Sequence, residues 1–187
     1  MVRQRAFFAS VPNQQQATVT QTPNQVWVGD VTYLKVAGQW RYLAVVMDRH
    51  SRRILGWSLS PRRDAALTSD ALRDSVRKRQ PAPGLRFHSD CGIEYAAFEY
   101  RNQLARLGII QSMNQPGKMN DNAHMESFFH SMKAEELHVR RFDNDEQLRQ
   151  ALRSYIEFYN RQRLHSALRF LPPVAFERQL RRQLCVN

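Results

Sequence analysis

The sequence is poor in cysteine, in long apolar runs, in acids and in lysine, and each shortage removes a class of protein. Its two cysteines, Cys91 and Cys185, cannot make a disulfide framework, so a reducing cytoplasm is the expected setting. The longest strongly apolar stretch, Tyr42-Leu-Ala-Val-Val-Met47, is far shorter than the roughly 20 residues a bilayer needs. Behind Arg3 and Arg5, the run from Ala6 to Val11 is too short for a signal-peptide core, and no tidy cleavage site follows. Membrane and secreted classes are set aside on these grounds. Acids number 17 against 28 Lys+Arg, giving a net charge of +11 over 187 residues. Only 4 of those cations are lysine and 24 are arginine. Arginine's fixed fork of donors matches phosphate oxygens, so the excess charge points to polyanions, with nucleic acid as the lead. A solvated arginine-rich surface is the plainer alternative on composition alone.

What is present is enough for one domain with a real core: 42% of residues are apolar and 10% aromatic. Residues 1–24 carry no acid and little apolar periodicity, and read as a flexible lead-in or linker remnant. From Gln25 the pattern changes. Val26 to Val36 is β-branched and aromatic, Trp40 to Asp48 follows after a turn at Gly38, and Ile54 to Leu59 follows the basic turn His50-Ser-Arg-Arg53. These three segments are expected to form an antiparallel meander. Asp64 caps a helix that ends at Pro81 and Pro83. Leu85 to Ser89 reads as a strand, Tyr95 to Leu107 as a helix, and Ile109 to Ser112 as a fifth strand. A polar loop from Asn114 to Asp121 precedes a helix from Asn122 to Leu137, and a last helix spans Asp145 to Asn160. The order β-β-β-α-β-α-β-α-α predicts an α/β fold, a mixed sheet with helices on both faces. A core over residues 25–178, including a C-terminal helical extension, and a basic tail over 179–187 complete the expected organisation.

Three acids stand in unusual places. Asp30 interrupts an apolar strand, Asp90 ends the fourth strand, and Glu126 lies in the first turns of the Asn122 helix. Acids inside strands are costly unless compensated, and three brought together repel unless cations neutralise them. Hard carboxylate oxygens are what Mg²⁺ takes as ligands when it works on a phosphate. Taken singly, each acid is as readily a turn or capping carboxylate. Their context is more specific, because 35 residues separate Asp90 from Glu126.

Five ordered motifs carry a resemblance. They are Asn24-Gln-Val-Trp-Val-Gly-Asp-Val-Thr-Tyr33, the segment from Tyr42 to Trp57, His88-Ser-Asp-Cys-Gly-Ile-Glu-Tyr95, the segment from Asp121 to Glu135, and Tyr159 to Leu168 with Pro172-Pro-Val-Ala-Phe176. Over about 24–177 the sequence resembles the catalytic part of bacterial insertion-sequence transposases with a retroviral-integrase-type DD(35)E core. The resemblance implies a ribonuclease-H-like five-stranded sheet flanked by helices, with Asp30, Asp90 and Glu126 as catalytic, metal-binding acids. It further implies two Mg²⁺ (or Mn²⁺) and in-line phosphodiester hydrolysis and strand transfer, with no covalent protein–DNA intermediate. DNA ends and target DNA are the implied partners, in an oligomer on DNA at the bacterial nucleoid. A separate helix-turn-helix subunit is a candidate reader of the element's ends.

On the Asn122 helix, His130 and Lys133 follow Glu126 by four and seven positions and share its face. Lys133 matches a basic position of the resembled family, and both are read as DNA contacts. Arg161, Arg163 and His165 either reach DNA or pack the C-terminal turn. His88, His124 and Cys91 lie near the acids without structural-zinc spacing. Asp48 is expected in a turn or salt bridge. The rival reading is a catalytically silent DNA-binding transposon remnant without its end-recognition segment, and Gly29, where Thr or Ser is expected, keeps it in play.

Overall fold

The computed structural model describes residues 11–13, 19–114, 122–137 and 140–184. Most of the expected lead-in, the loop residues 115–121 and Cys185 lie outside them. Five strands form one sheet: β1 (Val26–Val36), β2 (Gln39–Asp48), β3 (Ile54–Ser60), β4 (Arg86–Ser89) and β5 (Ile110–Met113). The spatial order is β3-β2-β1-β4-β5. β1, β2 and β3 pair antiparallel as the meander, and β1–β4 and β4–β5 pair parallel, as crossover helices demand. The helices are α1 (Ala65–Arg79), α2 (Ile93–Ala96), α3 (Phe98–Arg106), α4 (Ala123–Met132), α5 (Asp145–Arg161) and α6 (Pro173–Leu184).

Strand alternation divides the core in two. Val26, Val28, Leu43, Val45 and Met47 face α4 and α5, meeting Met125, Phe128 and Met132 from one and Leu152, Tyr155 and Tyr159 from the other. Trp27, Ala44, Val46 and Leu55 face the opposite way onto Leu67, Ala71 and Leu72 of α1 and Tyr100 and Leu104 of α3. Each fully buried large side chain stabilises by roughly 1.5–3 kcal/mol. α1 is capped as expected, the Leu67 N–H donating to Asp64 Oδ1 at 3.1 Å. Asn144 caps α5 in the same way, accepting from the Gln147 N–H at 2.9 Å.

Three helical expectations need adjustment. The expected helix over Tyr95–Leu107 begins earlier and breaks at Ala97, whose ψ of 142° is extended. The helix after Asn122 is α-helical only to Met132 and continues as a π-helical turn, Lys133–Leu137. α6 crosses the expected boundary at 178/179 and takes in 179–184, because Glu177 anchors it from beneath. Glu177 is 3% exposed and accepts from Ser51 Oγ at 2.7 Å, from Arg53 Nη1 at 2.7 Å and from Arg79 Nη2.

Candidate catalytic site

The pairing of β1 with β4 ends at Gly29 and Ser89, so Asp30 and Asp90 are the next residues of two adjacent parallel strands. Asp30 shares its strand face with Val28, the face covered by α4. Its Oδ1 accepts the Val31 N–H at 2.7 Å. Burial, and then the Asp90 charge, push the Asp30 carboxyl up to about 7; the Val31 N–H and Arg63 oppose the rise and Glu126 adds to it. Burial also raises Asp90, with Glu94 adding to the rise, against the Gly92 N–H at 3.0 Å and Arg63. A pair of acids in which each would hold its proton better than usual is a pair short of positive charge.

Arg63, just before α1, is the one cation close to them among the described residues. It lies 4.0 Å from Asp90 but 2.8 Å from Glu94, so most of its charge is directed at Glu94. Arg63 and Glu94 are site residues that sequence reasoning did not select. Glu94 stands inside the quoted motif four residues after Asp90, and this was the available signal. It is 2% exposed and its Oε2 has no hydrogen-bond partner among the described residues.

The N-terminus of α4 is held against β1 by Asn122, whose Nδ2 donates to the Gly29 carbonyl at 3.4 Å. This places Glu126 close enough for its charge to act on Asp30. Glu126 itself is exposed, and no group of three or more His, Cys, Asp or Glu is drawn together into a metal-holding cluster among the described residues. Asp30 and Asp90 are thus adjacent, and Glu126 is exposed on α4 with its charge acting on Asp30. Gly29 is explained by packing: a Cβ there would lie 2.4 Å from Phe87 Cζ and 3.2 Å from the Tyr95 hydroxyl. Phe87 and Tyr95 fill the space that a Thr or Ser would need.

The remaining candidates separate. Lys133 sits with Nζ 4.9 Å from the Tyr33 ring, and burial lowers its pKa. His130 is exposed on the flank it shares with Glu126. Arg161 is exposed and pairs with Glu157 at 3.4 Å. Arg163 donates to Glu135 at 2.8 Å and to Ser131 Oγ at 3.1 Å, and the His165 ring packs on Tyr159 with centroids 4.7 Å apart. His88 is fully buried between Ser112 Oγ at 2.9 Å and Asn114 Oδ1 at 2.6 Å. The Cys91 thiol, pushed up by burial, donates to the Asn114 carbonyl at 3.0 Å. Asp48 has the turn role expected of it, accepting backbone N–H groups from Asn24, His50 and Ser51 at 2.6, 3.0 and 2.9 Å. No helix among the described residues is long and apolar enough to cross a membrane.

Comparison with known proteins adds two kinds of likeness. The integrase core domain family matches residues 20–119, and a second integrase core domain family matches 107–173. The chain is 44% identical over 158 residues to "Transposase InsF for insertion sequence IS3fB" of Escherichia coli (strain K12), covering 84% of this chain and 55% of that protein. It is 42% identical over 155 residues to "Insertion element IS600 uncharacterized 31 kDa protein" of Shigella sonnei, covering 82% and 57%. The chain spans little more than half the length of these curated relatives. Among solved structures, the HTLV-2 integrase catalytic core domain in complex with magnesium superposes with a TM-score of 0.68 at 16% identity, covering 85% of this chain and 99% of that one. The BIV integrase catalytic core domain gives 0.64 at 15% identity, covering 86% and 97%. At such identities the likeness shows the fold, the ribonuclease-H-like sheet of retroviral integrase cores.

Proposed function

The chain belongs to the integrase core domain family, and from that premise we propose that it is the catalytic core of a DNA transposase, cutting phosphodiester bonds and joining strands. The observation that carries this reading is the pair Asp30–Asp90, brought side by side at the end of the β1–β4 pairing and both holding their protons more tightly than usual. An integrase-type core implies dependence on a divalent cation. The donors suit one, since Asp30, Asp90 and Glu126 offer hard carboxylate oxygens and a local excess of negative charge. We assign two Mg²⁺ to these three acids, with Mn²⁺ as substitute. When bound, the ions supply Lewis-acid stabilisation of the attacking and leaving oxygens in an in-line displacement.

The chain's own residues do the rest. Asp30 and Asp90 are fixed by their strands, so they set the position of the reacting phosphate, whereas Glu126 closes from α4 to complete the donor set. Arg63 restrains Asp90 from behind through its pairing with Glu94. His130, on the flank of α4 that carries Glu126, and Lys133, at the start of the π-helical turn that follows, are assigned to DNA phosphates beside the cut, and Arg161 and Arg163 to DNA further away. The full assembly is taken to be an oligomer on DNA holding two element ends, working in the cytoplasm at the nucleoid. End recognition is assigned to a helix-turn-helix unit, in the same polypeptide or a partner.

The test is nicking of supercoiled DNA. Cleavage that requires Mg²⁺ or Mn²⁺ and disappears in Asp90→Asn is the expected result. DNA binding without any metal-dependent cleavage, also when a helix-turn-helix partner is supplied, would make the chain a silent DNA-binding remnant.

A further inference from the structure

α4 has two flanks on either side of its buried stripe. Glu126 and His130 lie on one; His124, Ser127 and Ser131 lie on the other, where they border a cavity of about 260 Å³. Arg52 enters this cavity from the β2–β3 turn, and Arg163 and His165 enter from the segment after α5. No acid lines it. We propose that this cavity is a phosphate-binding site, distinct from the three acids, with Arg52 as its principal cation.

The argument rests on unmet polar groups. Arg52 Nη1 and His165 Nε2 are buried and have no hydrogen-bond partner among the described residues. Arg163 has its charge met by Glu135. Arg52 forms no ion pair among the described residues, and Asp48, whose charge it feels, already accepts from three backbone N–H groups. A guanidinium withdrawn from water without a counter-charge is costly, and a tetrahedral oxyanion fits its fork of donors. The backbone holds the group there: Arg52 has φ of 62°, in the left-handed region, and its N–H donates to the Asp48 carbonyl at 2.8 Å. Ser127, Ser131 and Ser166 add hydroxyls that can donate to the remaining oxygens.

The same chemistry is offered by a phosphodiester of DNA and by free phosphate. Only the DNA arm of the test rests on the transposase reading. The cavity lies across α4 from Glu126, so a DNA phosphate held here would belong to a different stretch of strand from the one at the acids.

Thermal melts of the full chain in inorganic phosphate, against chloride at matched ionic strength, test the site directly. They are paired with duplex-DNA binding across a salt series. The variants are Arg52→Gly, which suits φ of 62° and so keeps the turn, and Arg52→Lys, which keeps the charge without the fork. Phosphate should stabilise the wild type, with affinity falling on the order of tenfold to a hundredfold in Arg52→Gly and less in Arg52→Lys. If DNA supplies the phosphate, the slope of log K against log salt should fall by about 1 in Arg52→Gly. Loss of the phosphate effect with an unchanged slope assigns the site to free phosphate, and a changed slope alone assigns it to DNA. Phosphate stabilisation that is present in the wild type and equal in Arg52→Gly would overturn the proposal whatever the slope. So would no stabilisation of the wild type together with an unchanged slope. A chain that binds no DNA would sink the transposase reading and leave the phosphate melts to decide the site.

Discussion

Glu177 and Asp30 are both carboxylates withdrawn from water, one beneath α6 and one within β1, yet their surroundings have opposite effects. Glu177 receives Ser51, Arg53 and Arg79, and these partners bring its pKa below the usual value in spite of burial. Asp30 receives a single backbone N–H and feels two further acids, and its pKa climbs to about 7. The first acid closes a circuit among the β2–β3 turn, α1 and α6, and so belongs to the fold. The second leaves negative charge unbalanced at the end of the β1–β4 pairing, as a group tuned for work on an external cation would.

The sharpest break in this comparison is a double dissociation. Asp30→Asn should reduce metal-dependent strand cleavage by at least about 10³-fold, as loss of one member of a catalytic unit does, while the protein stays folded. Glu177→Gln should do the reverse to stability. It leaves Arg79 short of its buried partner and should cost about 3–5 kcal/mol in denaturant unfolding. A Glu177→Gln protein as stable as the wild type would place the network at the surface of the energetics.

Proton linkage offers a somewhat smaller effect. In the fold Asp30 keeps its proton up to about pH 7, whereas its ordinary value is 3.8. Between those limits the folded protein binds more protons than the unfolded chain, so stability should fall as pH rises from about 4 to 7. The loss should be on the order of a few kcal/mol without divalent cations. Asp30→Asn should flatten that slope. Glu177 acts on the other limb: its lowered pKa contributes stability above its ordinary value, which is lost only as the solution becomes more acidic. Urea melts from pH 4 to 8 on wild type and both variants separate the two contributions.

The smallest effect concerns the glycine beside Asp30. Gly29→Ser should destabilise by about 1–3 kcal/mol, since its Cβ would meet Phe87. Phe87→Leu in the same chain should recover part of that loss. Simple additivity of the two changes in a double-mutant cycle would remove the packing explanation.

Much of this was legible in the sequence, for identifiable reasons. The β-branched and aromatic run from Val26 to Val36 defines a strand, buried on both faces over Val26 to Gly29, and Asp30 stands out because it directly follows that apolar stretch. The cap at Asp64 and the stripe of α5 obeyed local rules that tertiary contacts did not override. Glu177 and α6 were hidden, because the partners Ser51, Arg53 and Arg79 come from more than a hundred residues away or nearly so, and no local pattern signals such a circuit. Arg63 and Glu94 escaped for the same reason: an ion pair between a loop and a one-turn helical segment leaves no periodicity. The break at Ala97 and the π-helical turn after Met132 are backbone choices made by packing, which apolar spacing alone does not separate from continuous helix.

The central claim is that Asp30 and Asp90 hold unbalanced charge for divalent cations. Thermal melts at pH 8, with and without Mg²⁺ or Mn²⁺, test it most directly on wild type, Asp30→Asn and Glu177→Gln. Either ion should raise the wild-type melting temperature by binding the folded state, raise Glu177→Gln from its lower baseline by a similar amount, and leave Asp30→Asn almost unmoved. A wild type indifferent to both ions, or an Asp30→Asn protein that gains as much as the wild type, would contradict the account.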